Sequence, residues 1–365
     1  MLPGKKFMNI SLQKKENEFL TDVGSIADRL LSTSVVSLQR IGGGLNSRVY
    51  QLDAQDATKY LLKFYYRDDE DKRDRLSAEF LSLTFLWKNG IRSIPRPIAV
   101  AEEERCAIYQ FIEGEKVISS QVQSQDIKCA IEFLAELKNL RHHGRIFSCA
   151  SEAFFSVKDL NANIKMRVLQ LQEVKEDVDV YHAMKDYLNN DFLPFWQIFI
   201  QWAEKHLLEL GLSFDDTINE KEKTLSPSDF GFHNALRDKA GRIVFLDFEH
   251  FGWDDPAKTI SDFLLHPAMT LNRDCKQQFV TGILKLFKEC EQLRDRVKIL
   301  YPFFGLKWCL IFLNEFIPGD FRRRHFAQME KNGKRHILKA QLFKAQKMLN
   351  NLKQTYTGFP YETSF

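Results

Sequence analysis

The residues best suited to chemistry in this chain fall between positions 228 and 249. Ser228-Asp229-Phe230-Gly231-Phe232-His233-Asn234 reads as a polar loop, and Ile243-Val244-Phe245-Leu246-Asp247-Phe248-Glu249 as an apolar strand ending in carboxylates. Asp229 and Asn234 are five apart, and Asp247 follows Asp229 by 18 residues. Carboxylate and amide oxygens are hard donors of the kind Mg²⁺ takes while it keeps phosphates and water as its other ligands. A further carboxylate beside them would be placed to accept a proton from a hydroxyl. The plainer alternative is that Asp229 caps a turn and Asp247 a helix.

Two earlier elements bear on the choice. Lys63 lies inside the apolar run Tyr60-Leu61-Leu62-Lys63-Phe64-Tyr65-Tyr66, where an unpaired ammonium would be costly. Glu79, 16 residues on, falls on the next expected helix and is a candidate partner. Such a pair would hold the ammonium where it reaches the phosphates of a nucleotide; an ordinary surface salt bridge is the alternative. Gly42-Gly43-Gly44-Leu45-Asn46-Ser47 sits between two strand-like runs. Glycines let backbone N–H groups approach a phosphate closely, although three glycines also make a simple hairpin turn.

In this order the glycine loop, Lys63, Glu79, Asp229, Asn234 and Asp247 resemble the aminoglycoside phosphotransferase/choline kinase superfamily, small-molecule kinases with a protein-kinase-like fold. The resemblance covers about residues 35–315. It implies that Gly42, Gly43, Gly44, Asn46 and Ser47 form a flap over the nucleotide, that Lys63 and Glu79 are the nucleotide lysine and its helix partner, and that Asp229 is the catalytic aspartate. Asn234 and Asp247 are the implied metal ligands. Tyr109 to Gly114 resembles the hinge, so the backbone of Gln110, Phe111 and Ile112 is expected to bind adenine. Asp255-Pro256, followed by a helix containing Asp262, resembles the family's Gly-Asp-Pro segment. The implied cofactors are ATP, with GTP as an alternative, and Mg²⁺. Two departures stand out. Pro227-Ser228-Asp229 replaces the usual His-Gly-Asp, and Asp254 stands where the family has glycine.

Elements must position these groups. Residues 16–31 carry apolar residues close to one helical face, and short strands are expected at 35–41, 48–53 and 60–66. A helix is expected over 76–88, stopped by Asn89-Gly90, and then a hairpin around 102–105. Beyond Gly114 the periodicity is mainly helical, at 126–141, 195–210, 274–291, 297–316 and 332–354, with loops around 145–190 and 250–320 carrying specificity. The expected class is α+β and bilobal. A small antiparallel N-terminal lobe with one helix spans residues 1–112, of which 1–34 form a helical extension. Residues 113–365 hold the hinge and a larger, mainly helical catalytic and substrate lobe, closed by a basic helix.

Composition sets the outer limits. The chain has 365 residues, enough for about two lobes. Its 52 Lys and Arg nearly cancel 49 Asp and Glu, which argues against a nucleic-acid partner. The 31 Phe point to an aromatic core. No membrane span is expected; 192–202 reads as the most apolar stretch, and it is short and interrupted. With no apolar leader, a cytoplasmic location is expected. Six scattered Cys read as free, mostly buried thiols. Arg322, Arg323, Arg324, Lys331, Lys334, Arg335, Lys339, Lys344, Lys347 and Lys353 face few acids; a solvated helix face, or attraction of an anionic partner, accounts for them. The expected activity is phosphoryl transfer from ATP to the hydroxyl of a sugar, amino sugar or amino alcohol. The rivals are a catalytically impaired pseudokinase that binds nucleotide or a partner, and a kinase-fold enzyme that modifies a protein or transfers AMP. The acceptor and the oligomeric state are not legible.

Overall fold

The computed structural model of the chain describes residues 23–41, 47–66, 73–324 and 333–361. The expected flap residues Gly42, Gly43, Gly44 and Asn46 lie outside the described residues, as do Lys331 and the first part of the helix expected at 16–31.

Helix α1 (23–31) buries Val23 and Ala27, four apart, against one face of a five-stranded sheet. The strands are β1 (Val35–Ile41), β2 (Ser47–Ala54) and β3 (Lys59–Tyr65), then, after helix α2 (Arg75–Lys88), β4 (Pro97–Ala101) and β5 (Cys106–Gln110). Their order is β1-β2-β3-β5-β4, antiparallel throughout. In β2 the buried Tyr50, Leu52 and Ala54 alternate with more exposed Gln51 and Asp53, the period of two that lays one face on a core. The Asp74 carboxylate accepts from the Ser77 N–H at 3.1 Å and starts α2. Leu76, Glu79, Leu83 and Leu86 share its buried face, and Gly90, at φ 92°, ends it.

The second lobe begins with β6 (Gly114–Lys116) and α3 (Ser124–Asn139). Helices α4 (Val157–Gln172), α5 (Asp179–Tyr187) and α6 (Leu193–Glu209) follow. Four short strands come next, β7 (Thr224–Ser226), β8 (Ala235–Asp238), β9 (Ile243–Phe245) and β10 (Gly252–Asp254), pairing as β6-β8-β9 and β7-β10. The chain ends in α7 (Pro256–Leu265), α8 (Arg273–Leu286), α9 (Leu293–Phe312), α10 (Pro318–Arg324) and α11 (Lys334–Thr355).

The aromatic expectation holds in a specific place. Phe133 of α3 stacks on Phe245 (4.7 Å between centroids) and on Phe230 (5.8 Å); Phe230 in turn stacks on Phe263, which lies 3.6 Å from Phe279. Phe230 follows Asp229 and Phe248 follows Asp247, and both are buried. The core therefore grips the chain directly beside each of those aspartates.

Two expectations need correction. The 145–190 region is not loop: α4 and α5 fill much of it. Val157, Leu160, Ile164, Val168 and Leu171 form a buried stripe whose signal was diluted by the polar residues of the opposite face. The most apolar segment is Leu293–Phe316, not 192–202. Its length and mean hydropathy of 1.3 pass the composition test for a membrane span, but 83% of its window is buried inside the structure, the mark of a core helix. The basic helix behaves as a solvated face: Lys339, Lys344 and Lys347 are exposed, while Arg335 and Lys353 reach Asp179 and Asp191. Cys106, Cys275, Cys290 and Cys309 are buried free thiols, and Cys149 is exposed.

Gly252 is where β10 touches the segment before α4. A Cβ there would stand 2.5 Å from both the Ser148 carbonyl oxygen and the Ala150 nitrogen, backbone atoms that cannot swing away. Gly252→Ala is expected to destabilise the protein by about 1–3 kcal/mol in denaturant titration, whereas unchanged stability would show that this junction yields.

Candidate active site

Lys63 is the meeting point of the lobes. It lies in the middle of β3, between Val49 of β2 and Ala107 of β5, and is 7% exposed. Its Nζ donates to Glu79 Oε2 at 2.6 Å and to Asp247 Oδ1 at 2.8 Å, with Glu249 Oε2 at 4.0 Å. Burial alone would lower its pKa; Asp247, Glu79 and Glu249 together outweigh that and raise it well above the usual lysine value, so the ammonium stays charged. Tyr65 OH donates to Glu79 at 2.7 Å and stands 2.7 Å from Tyr109 OH, which fixes the carboxylate from the other side. Glu249 is held by Arg75, 1% exposed on its side chain, at 3.5 Å and by His250 at 3.3 Å.

The Asp229 loop is tied to the Asp247 segment through Asn234. Asn234 Nδ2 donates to the Asp229 carbonyl oxygen (3.0 Å) and to Asp229 Oδ2 (3.3 Å). The amide nitrogen is thereby committed to the loop, and the amide oxygen is the atom left to face a cation. The Leu246 N–H donates to the Asn234 carbonyl oxygen at 2.8 Å, which ties this loop to the residue before Asp247. Asp247 adopts φ 65°, a left-handed turn that costs a non-glycine residue and directs its side chain to Lys63.

Asp229 is 44% exposed on its side chain, and His233 Nε2 donates to its Oδ1 at 3.0 Å. His266 stacks face to face on His233, 3.7 Å between ring centroids, with its Nε2 3.9 Å from the same oxygen. Burial pushes the Asp229 carboxyl up; the contacts led by the hydrogen bond from His233 outweigh it and hold the carboxyl well below its usual range. His266 is pushed down to about 4 by burial and by His233, so it is a neutral wall at physiological pH. Gly231 leaves room for the pair, since a Cβ there would sit 2.8 Å from His233 Nδ1.

Both departures from the family pattern meet on one side chain. Lys258 of α7 is 2% exposed, and its Nζ donates to Ser228 Oγ at 2.8 Å and to Asp254 Oδ2 at 2.8 Å, with Asp262 at 3.4 Å. Ser228 stands where glycine is usual and Asp254 where glycine is usual; each supplies an oxygen to this lysine. Ser228 Oγ also donates to the Ser151 carbonyl oxygen at 2.8 Å, and Ser228 holds φ 69°. Burial pushes the Asp254 carboxyl up to about 6 against the opposing pull of Lys258. A buried lysine network thus fixes the backbone just before Asp229, where position 227 is proline.

Lys63, Glu79, Asp229, Asn234 and Asp247 are brought together. Ser47, 4% exposed, opens β2 opposite Tyr65. Gln110 ends β5, its N–H committed to the Arg96 carbonyl oxygen at 2.8 Å; Phe111 and Ile112 follow, and Glu113 bridges Lys59 and Lys239 from the two lobes. Trp308 packs against His266 and donates to Asp262, whereas Trp253 donates to the Gly144 carbonyl oxygen and Tyr301 packs on Phe359. Sequence reasoning missed Lys258, His266, Arg75 and Glu249. Lys258, His266 and Arg75 have no local signature and acquire their contacts from partners elsewhere in the chain, whereas Glu249, quoted beside Asp247, was given no role. The one available signal was that Lys258 and Asp254 are four apart at the start of a helix.

The donor set fits Mg²⁺. Among the described residues, Glu79, Asp247 and Glu249 each place a carboxylate oxygen within 4.8 Å of the others. Glu79 and Glu249 are already engaged by Lys63, Tyr65, Arg75 and His250, so Asp247, 35% exposed on its side chain, and the Asn234 amide oxygen are the hard donors available.

The structure resembles solved phosphotransferases. A spectinomycin phosphotransferase, solved with ADP and spectinomycin, has a TM-score of 0.62 at 14% identity, covering 92% of this chain and 98% of that one. A phosphotransferase solved with gentamicin gives 0.58 at 16% identity, covering 93% and 98%. The choline kinase LicA from Streptococcus pneumoniae gives 0.55 at 16% identity, covering 92% and 99%. At these identities the likeness shows the fold, which is bilobal and kinase-like. Among curated proteins, none matches the sequence significantly. The model of the phosphotransferase enzyme family matches residues 37–274, more than half of the chain. The chain therefore belongs to the phosphotransferase enzyme family.

Proposed function

We propose that the protein transfers the γ-phosphoryl group of ATP, with Mg²⁺, to a hydroxyl of a small molecule. The observation that carries this reading is that Lys63, Asp247, Asn234 and Asp229 are linked in one run of contacts of 2.8–3.3 Å: Lys63 to Asp247, the neighbouring Leu246 to Asn234, and Asn234 to Asp229. Lys63 holds the nucleotide phosphates while Glu79 keeps its ammonium charged and aimed. Asn234 and Asp247 would hold Mg²⁺, which neutralises negative charge on the phosphates.

Asp229 orients the acceptor hydroxyl. The acceptor oxygen bonds to the γ-phosphorus, the bond from phosphorus to the β–γ bridging oxygen breaks, ADP leaves with that electron pair, and the hydroxyl proton passes to Asp229. A carboxylate held below its usual range is a weak base. It suits a loose transition state, in which the hydroxyl loses its proton late and orientation matters more than basicity. His233 fixes the carboxylate rotamer. The pseudokinase alternative was motivated by Pro227-Ser228; the Lys258 network supports the catalytic reading, because it holds that loop by other means.

Asp229→Ala is expected to keep nucleotide affinity within about threefold and to lower turnover by 10³-fold or more, about 4 kcal/mol of barrier; surviving turnover would mean the base is misassigned. Removing Mg²⁺ with EDTA is expected to abolish turnover, and added Mg²⁺ to restore it. Lys258→Met should cost about 3–5 kcal/mol of stability, since it strands a buried carboxylate. Adding Asp254→Asn should recover much of that loss while turnover stays about 10²-fold low from loop misplacement. A stable double variant with wild-type turnover would remove Lys258 from any part in positioning Asp229.

A further inference from the structure

Beside Glu249 and His250 a cleft of about 750 Å³ opens between α2, α4 and the segment that joins β9 to β10. Glu152, Arg167, His250 and Asn314 line its polar side, and the exposed Leu81, Ile146 and Met166 its apolar side. Its size matches a mono- or disaccharide-sized molecule. It adjoins the Asp229 loop: the Ser151 carbonyl oxygen accepts from Ser228 Oγ, and the Ser151 N–H donates to the His250 carbonyl oxygen at 3.1 Å. Glu152 is the next residue, held at φ 60° in the left-handed region.

Glu152 is an unusual carboxylate. Arg167 Nη2 lies 2.7 and 2.8 Å from its two oxygens, and Lys307 Nζ, on a side chain only 4% exposed, lies 2.9 Å from one of them. Arg167 is itself fixed by Asn163 Oδ1 at 2.9 Å and Asn314 Oδ1 at 3.3 Å. Burial pushes the Glu152 carboxyl up, but Lys307 and Arg167 outweigh it and hold it well below its usual range, so it stays ionised. A carboxylate offers about four lone-pair sites. The contacts from Arg167 and Lys307 use most of them, and the side chain is still 33% exposed to the cleft. What is left is an acceptor for one more donor, beside two fixed cations. An ammonium entering there would meet Arg167 and Lys307 as like charges, whereas a neutral hydroxyl would not. The other carboxylates of the lining are Asp74, Glu249 and Asp320; Glu249 is already paired with Arg75 and His250, and Asp74 is taken up in capping α2 through Ser77.

We propose that Glu152, held by Arg167 and Lys307, is the acceptor-binding residue, and that it selects a neutral, polyhydroxylated acceptor of the sugar class by accepting one hydroxyl while a second hydroxyl faces Asp229. This deepens the phosphotransfer reading and rests on it. The test uses the full chain with γ-labelled ATP and Mg²⁺. One panel holds neutral compounds (glucose, mannose, galactose, myo-inositol, glycerol), the other cationic ones (choline, ethanolamine, kanamycin), and cleavage of ATP to ADP is followed in parallel. Label is expected in at least one neutral compound and in none of the cationic ones. Glu152→Gln should raise the KM for that neutral compound tenfold or more with kcat changed less than threefold, and Glu152→Asp should recover part of it; an unaltered Kd for a fluorescent ATP analogue reports that both variants fold. Label in a cationic compound, an Glu152→Gln KM within twofold of wild type, or rejection of every neutral compound while ATP is still cleaved overturns the inference and leaves phosphoryl transfer standing. Absence of any ATP cleavage overturns the phosphotransfer reading itself.

Discussion

A lysine buried in the middle of a β-sheet is the constraint on which the rest of the architecture depends. Lys63 is tolerated there because three carboxylates from outside its own strand surround it: Glu79 from α2, and Asp247 and Glu249 from the segment after β9. An isolated ammonium in that position would lose its charge or unfold the sheet. Because the carboxylates come from both lobes, satisfying the lysine also fixes how the lobes face each other. On the proposed function, an ion set that the free protein requires structurally would double as a preorganised place for phosphates and a cation.

A second buried lysine does the same for the Asp229 loop. Lys258 joins Ser228, Asp254 and Asp262, and the aromatic layer of Phe133, Phe230, Phe245, Phe248 and Phe263 packs beneath. Apolar packing sets the height of the loop, and the lysine sets its backbone. Of the six non-glycine residues at positive φ among the described residues, three, Ser228, Asp247 and Glu152, lie in this part of the structure. Backbone strain of this kind costs about 1–3 kcal/mol per residue and persists only where the surroundings over-determine it.

The sequence made part of this legible, for identifiable reasons. Asp229, Asn234 and Asp247 could be found because their roles need fixed spacing on one loop and one strand. Lys63 stood out because a charge in an apolar run demands an explanation. The helices with strong periodicity were found to within a few residues, as with α2, expected from Leu76 and observed from Arg75. Helix α4 was missed because its polar face outweighs its buried stripe in composition. Lys258 and Glu152 were illegible for another reason: neither has a local signature, and each acquires meaning from partners 30 and 155 residues away respectively. The two departures from the family pattern looked unrelated in sequence, and in the structure Ser228 and Asp254 meet on Lys258.

The central claim is that Lys63 and Asp247 act on the same bound nucleotide. A double-mutant cycle with Lys63→Met and Asp247→Asn, read as the affinity for Mg·ATP by titration calorimetry, measures it directly. The account predicts that the two losses are non-additive, with a coupling of about 1 kcal/mol or more. Losses that simply add would contradict it, because they would show the ammonium and the carboxylate serving separate sites.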